Sequence, residues 1–169
     1  MFTRRSHPGH TQPPEILARV SAFVTAGAGF LLAVLWFDLM FDVQVLGGAR
    51  DRELPEEVLA SVAGYYRRVT TAARPMNRLI AAAMVATIAA IVVQIADADS
   101  AAWVGWASLA LAGAAVALAA GHTVPSAVRL GRRVDPPAVQ SRLARSIYRD
   151  HVVCLTGIAA VLVIQLAAD

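Results

Sequence analysis

The chain has 169 residues, 57% hydrophobic and 16% charged, with a mean hydropathy of +0.57. That balance is too apolar and too unevenly distributed for an ordinary soluble domain, and it places the chain among integral membrane proteins. All fifteen cations are arginines, the net charge is +3 and the pI is near 9.7. The arginines border apolar runs, which is the pattern of membrane topology and lipid contact, so a nucleic-acid partner is excluded.

Residues 1–16 carry His7, His10 and three prolines without apolar periodicity and read as a flexible, solvated tail. The apolar run that follows is too long for the core of a cleaved leader, so it is expected to remain as a span. From Val20 to Gly48 a helix would reach about 43 Å, more than a ~30 Å hydrocarbon core, so it should tilt or project. Inside this run sit Asp38 and Asp42, four apart and therefore on one helical face. A carboxylate at mid-bilayer costs roughly 2.5 to 3.5 kcal/mol, and a chain keeps two only where they face partners, a cavity or an ion. Gly47 and Gly48 then end the helix.

Residues 54–74 form an amphipathic lead: Pro55, Glu56 and Glu57 open it, and Leu54, Val58, Val62 and Tyr66 recur near helical spacing. The lead runs through an expected kink at Pro75 into a second span, 76–96. Arg74 and Arg78, at the membrane mouth, are candidate partners for Asp38 and Asp42. A short acidic connection, 96–100, leads to a third span over 101–121. Trp103 and Trp106 sit at its interface, and Gly113, Ala117 and Gly121 form a small-residue row that permits close helix contact. This span is expected to end at His122, before Pro125. A basic loop leads to Asp135-Pro136-Pro137, a helix-start signal, and an amphipathic lead over 136–150 enters a fourth span, 151–168.

The expected fold is therefore an all-α bundle of four transmembrane helices, with the second and fourth extended beyond the membrane. Three arginines, Arg4, Arg5 and Arg19, lie on the tail side, and the rest lie on the other side. The positive-inside rule then puts the long connections in the cytoplasm and the termini outside, for a multi-pass protein of the cell's inner membrane. Alternating passes bring Asp38, Asp42, Arg74, Arg78, His122, Asp150 and His151 to one end of the bundle, where four-helix bundles build sites from inward-facing side chains.

Three readings of that constellation compete. One is a structural network of Asp38 and Asp42 with Arg74, Arg78 or Arg67. Another is a haem or transition-metal site drawing on His122, His151, Asp38 and Asp42. The last is a metal-free pocket in which a histidine acts as base on an apolar substrate. Cys154, the sole cysteine, excludes an intrachain disulfide and reads as a buried thiol. Tyr65, Tyr66 and Tyr148 read as interfacial aromatics, and Trp36 as packing. Gly27 and Gly29 read as helix-packing glycines.

The order of a first span with a polar C-terminal half, then PEEVLASVAGYYRRVTTAARPMNRL, then TVP after the third span and IYRDHVV opening the fourth, resembles the anthrone-oxygenase-like four-span membrane proteins. The resemblance covers roughly residues 20–168. Val124 and Pro125 match the family's Asn-Val-Pro-Leu-Asn stretch, and His151 matches the histidine of its Trp-x-x-Asn-His-x-Arg stretch, with Asp150 in place of asparagine and Val153 in place of arginine. It implies oxidation of a polycyclic aromatic ring with no required cofactor. What carries over from it is His151, with Asp150 beside it. Read as an oxidoreductase-type pocket, the constellation itself makes His151 the base, has Arg78 hold an oxyanion, and lets Asp38, Asp42, His122 and Arg74 bind substrate or ion. The alternatives are a haem or metal carrier, and a non-catalytic subunit packing against a partner protein or a second copy of itself.

Overall fold

The computed structural model describes residues 14–47, 53–96 and 102–168. The tail histidines His7 and His10 lie outside the described residues. Six helices follow in order: α1 Pro14–Asp42, α2 Glu56–Arg67, α3 Arg74–Ala96, α4 Ala102–Leu118, α5 Val124–Arg132 and α6 Pro137–Ala168. Four stretches are long and apolar enough to cross a membrane: Arg19–Gly47, Pro75–Ala96, Ala102–Arg132 and Pro137–Ala168. α1 packs on α3 and α6, and α4 packs on the same two helices, which closes a ring of four spans. α2 and α5 pack on each other and cap one end. This is the all-α membrane bundle that the apolar run lengths imply.

Two departures from the expected boundaries have a common cause. The third span does not stop at residue 121. It widens into a π-turn over Ala119–Thr123 and continues as α5 to Arg132. Pro125 lacks an N–H and its ring would crowd the carbonyl four residues back; the wider turn absorbs both effects, so the helix is deflected rather than ended. Before Pro75, α2 passes through a second π-turn, Arg68–Ala72, and Ala73 leaves the helical region at φ −90°, ψ 61°. The first lead and the second span are thus separate helices, so the second span is not extended by one continuous helix, whereas the second lead and the fourth span form α6, unbroken for 32 residues, about 48 Å. α1 also begins at Pro14, inside the segment read as tail.

Two apolar cores are stacked along the bundle axis. One lies among the spans and includes Val24, Ala28, Leu31, Ile91, Ala112, Cys154, Ile158 and Val161. The other lies under the cap, where Val45, Leu54, Leu59, Val62, Ala63, Tyr66, Leu130 and Ile147 meet. Large side chains turned outward, such as Phe23, Trp36, Val85 and Trp106, are those a lipid-facing surface requires. Trp36 therefore faces away from the core it was expected to pack in.

Close helix approach falls at other small residues than the expected row. A Cβ on Gly27 would collide with the Thr87 side chain, and one on Gly105 would meet Ile95 at 2.5 Å. These two glycines set the α1–α3 and α3–α4 distances. Gly29, Gly113 and Gly121 have open space where a side chain would go, and Ala117 is exposed. Among the described residues, no other helix packs against Gly113 or Gly121.

Candidate functional site

The boundary between the two cores is polar. Asp42 closes α1 one turn before Val45 of the cap core, and His151 lies on α6 between Ile147 of the cap core and Cys154 of the span core. Both side chains are buried, Asp42 with no exposed surface at all. His151 Nδ1 lies 2.6 Å from Asp42 Oδ2. The Tyr66 hydroxyl donates to Asp42 Oδ1 at 2.5 Å. Each carboxylate oxygen thus has its own partner. Hydrogen bonds to a charged group contribute about 1.5–3 kcal/mol each, enough for two of them to offset the roughly 2.5–3.5 kcal/mol of placing the acid in the membrane.

Four residues earlier on α1, Asp38 repeats the arrangement in a wetter position. Its Oδ1 accepts from the Tyr65 hydroxyl at 2.6 Å, and its Oδ2 stands 3.9 Å from His151 Nε2. Tyr65 also stacks on Phe41, with ring centroids 4.0 Å apart and planes 11° from parallel. That contact fixes the phenol's direction. His151 is therefore bracketed, with Asp42 on one ring nitrogen and Asp38 facing the other.

The phenols come from α2, which lies outside the spans. Burial first, and the neighbouring carboxylates second, push both tyrosine hydroxyls above the ordinary phenol range, with Asp42 acting on Tyr66 and Asp38 on Tyr65. They remain neutral donors. A carboxylate in its ionised form can only accept, so with that form of Asp42 the shared proton belongs to His151 Nδ1 and Nε2 is the nitrogen able to exchange a proton.

Several expected partners lie elsewhere. Arg67 and Arg78 are exposed and make no ion pair with either acid, so the carboxylates are held by phenols and an imidazole instead of guanidinium groups. Arg78 leaves the site because α3 turns that position outward. The Arg74 side chain lies outside the described residues. His122 does not join His151. Its Nδ1 pairs with Asp150 Oδ2 at 2.6 Å, and the Thr123 hydroxyl donates to the same oxygen at 3.0 Å. Asp150 and His151, adjacent on α6, point to different neighbours because consecutive helical residues face about 100° apart. Among the described residues no group of three His, Cys, Asp or Glu side chains forms a metal-ligand set.

Tyr65 and Tyr66 are the site residues that sequence reading assigned to the interface instead. A signal was present: Tyr66 falls on the same stripe as Val62, and a phenol on a buried stripe needs an acceptor. No protein family, characterised protein or solved structure compared with the chain matches it. Fold and site together define a four-span membrane bundle with an acid–base network buried where its two cores meet.

Proposed function

We propose that this protein is a membrane-embedded acid–base enzyme in which His151 Nε2 removes a proton from an apolar substrate entering from the bilayer. The observation that supports this reading most is the bracketing of one imidazole by two carboxylates. Asp42 fixes the tautomer and ring orientation through Nδ1, a role that leaves the other nitrogen free to act as a base. The imidazolium formed on proton uptake lies between Asp42 and Asp38, so its charge is not alone in a low-dielectric setting. Tyr66 holds Asp42, and Tyr65 with Phe41 holds Asp38.

The likeness to anthrone-oxygenase-like proteins supplies a substrate class for the same step: a flat polycyclic aromatic compound with an acidic C–H or O–H, and dioxygen as oxidant. The arginine-rich end, which carries the site, would face the cytoplasm. The test is oxygen uptake by the purified full-length protein in lipid nanodiscs, with anthrone as probe. His151→Ala should lower the rate about 10²–10⁴-fold, the ordinary contribution of a positioned base. Full activity in that variant, or no uptake by the wild type, would refute the reading.

The unpartnered Gly113, Ala117 and Gly121 row favours a second reading, a subunit that packs α4 against another membrane protein or a second copy of the chain. A strictly monomeric protein, with no partner retained in mild detergent, would remove it.

A further inference from the structure

A groove of about 460 Å³ opens beside the cap, lined by His122, Arg129, Val139, Arg142, Leu143, Ser146 and Arg149. We propose that it binds the phosphate group of an anionic lipid at the bilayer surface. The groove is separate from the Asp42–His151 network, and the proposal does not depend on the enzymatic reading.

Its construction supports this assignment. Val139, Leu143 and Ser146, with Arg142 four residues before Ser146 and Arg149 three after it, line one side of α6 at helical spacing. Arg142 and Arg149 are two turns apart, about 10.5 Å along the axis, with Ser146 between them. Facing them, Arg129 comes from α5 and His122 from the π-turn before it. No carboxylate lines the groove. The two nearest acids are occupied: Asp135 takes a two-pronged bond from Arg129 at 2.7 and 2.8 Å, and Asp150 is held by His122 and Thr123. Arg142 is exposed and has no ion pair among the described residues, and Arg149 spends only its Nε, on the Arg145 carbonyl at 3.4 Å. Arg129 is already neutralised by Asp135, so the uncompensated charge in this concave site is that of Arg142 and Arg149, whose planar donors match a phosphate's oxygens.

The ligand's other half follows from depth. The apolar part of α6 begins at Val152, so Arg149 lies at headgroup level and Arg142 about 10 Å beyond. A phosphate held at Arg149 leaves its glycerol and acyl part on the Val152 side, toward the hydrocarbon, while Val139 and Leu143 line the outer end of the groove at the level of Arg142 and beyond.

The test is native mass spectrometry of the full-length protein released from nanodiscs of phosphatidylcholine with or without phosphatidylglycerol. Retained phosphatidylglycerol is compared among wild type, Arg142→Gln/Arg149→Gln and Arg68→Gln/Arg78→Gln. The control pair removes the same charge from exposed positions outside the groove. At roughly tenfold per charge-assisted hydrogen bond to phosphate, the groove variant should lose about 100-fold in phosphatidylglycerol retention, clearly more than the control, which gives up only diffuse surface attraction. Equal losses in the two variants would mean diffuse attraction and overturn the proposal. So would the absence of preference for phosphatidylglycerol over phosphatidylcholine. Millimolar inorganic phosphate is the other arm: if it displaces the lipid completely, the site is one for free phosphate and the lipid assignment fails.

Discussion

The bundle buries polar groups at both ends, and the two networks differ in kind. At the far end Gln94 of α3 and Gln165 of α6 exchange reciprocal amide hydrogen bonds of 3.1 and 2.9 Å, and Gln165 also donates to Ser108 of α4 at 3.0 Å. At the cap end Asp42, His151 and Tyr66 meet, with Asp38 and Tyr65 beside them. The amides of Gln94 and Gln165 and the Ser108 hydroxyl link three spans through groups that do not titrate. The acid network does similar cross-linking with groups that can gain or lose protons. A bundle needing only adhesion could use amides at both ends, so the costlier acid end calls for an explanation beyond packing.

The comparison breaks most readily at Asp42. Asp42→Ala leaves the Tyr66 hydroxyl and the His151 Nδ1–H buried without an acceptor, and should cost about 3–5 kcal/mol, the usual result of removing one member of a buried pair. Unfolding in detergent, followed by denaturant titration, measures it; a loss below that of the amide variants would contradict the contrast. At the neutral end Gln165→Leu should cost about 1–3 kcal/mol, because Gln94 and Ser108 lose a partner. Gln94→Leu/Gln165→Leu should recover much of that, since apolar replacements on both sides leave less unsatisfied; a strictly additive double variant would show that the reciprocal bonds are not coupled.

Smaller effects sharpen the difference between the two acids. Tyr65→Phe removes one bond to the partly exposed Asp38 but keeps the stacking on Phe41, and should cost less than Tyr66→Phe at fully buried Asp42. The smallest effect is at the surface. Arg129 holds the Asp135 carboxyl below the usual carboxylate range, chiefly through its hydrogen bonds. A depressed acid contributes stability that is present above its unfolded pKa of about 4 and disappears as pH falls through its folded value. Asp135→Asn should therefore lower the melting temperature slightly at neutral pH, and the gap should close in acid. A gap independent of pH would mean that packing is lost, not charge.

The architecture was legible because lipid imposes it: apolar run length gives the spans, and alternating passes bring Asp38, Asp42 and His151 to one depth. What escaped was rotation about each helix axis. Arg78 lies at a suitable height for an ion pair, but α3 turns it outward; His122 has the right depth but faces Asp150. Tyr65 and Tyr66 looked like interfacial aromatics because tyrosine is common there, and only the packing of α2, as part of the cap, onto the ends of the spans decides that they reach inward. Pro125 read as a terminator because the π-turn that accommodates it leaves no mark in the apolar pattern.

The most direct measurement is the ¹⁵N spectrum of the imidazoles in histidine-labelled full-length protein in nanodiscs, with the His151 signals identified by their loss in His151→Gln. The account predicts a strongly hydrogen-bonded, protonated Nδ1 that exchanges slowly with water and whose shift collapses in Asp42→Asn. A His151 signal that exchanges freely, carries its proton only on Nε2, or ignores the Asp42 substitution would contradict it.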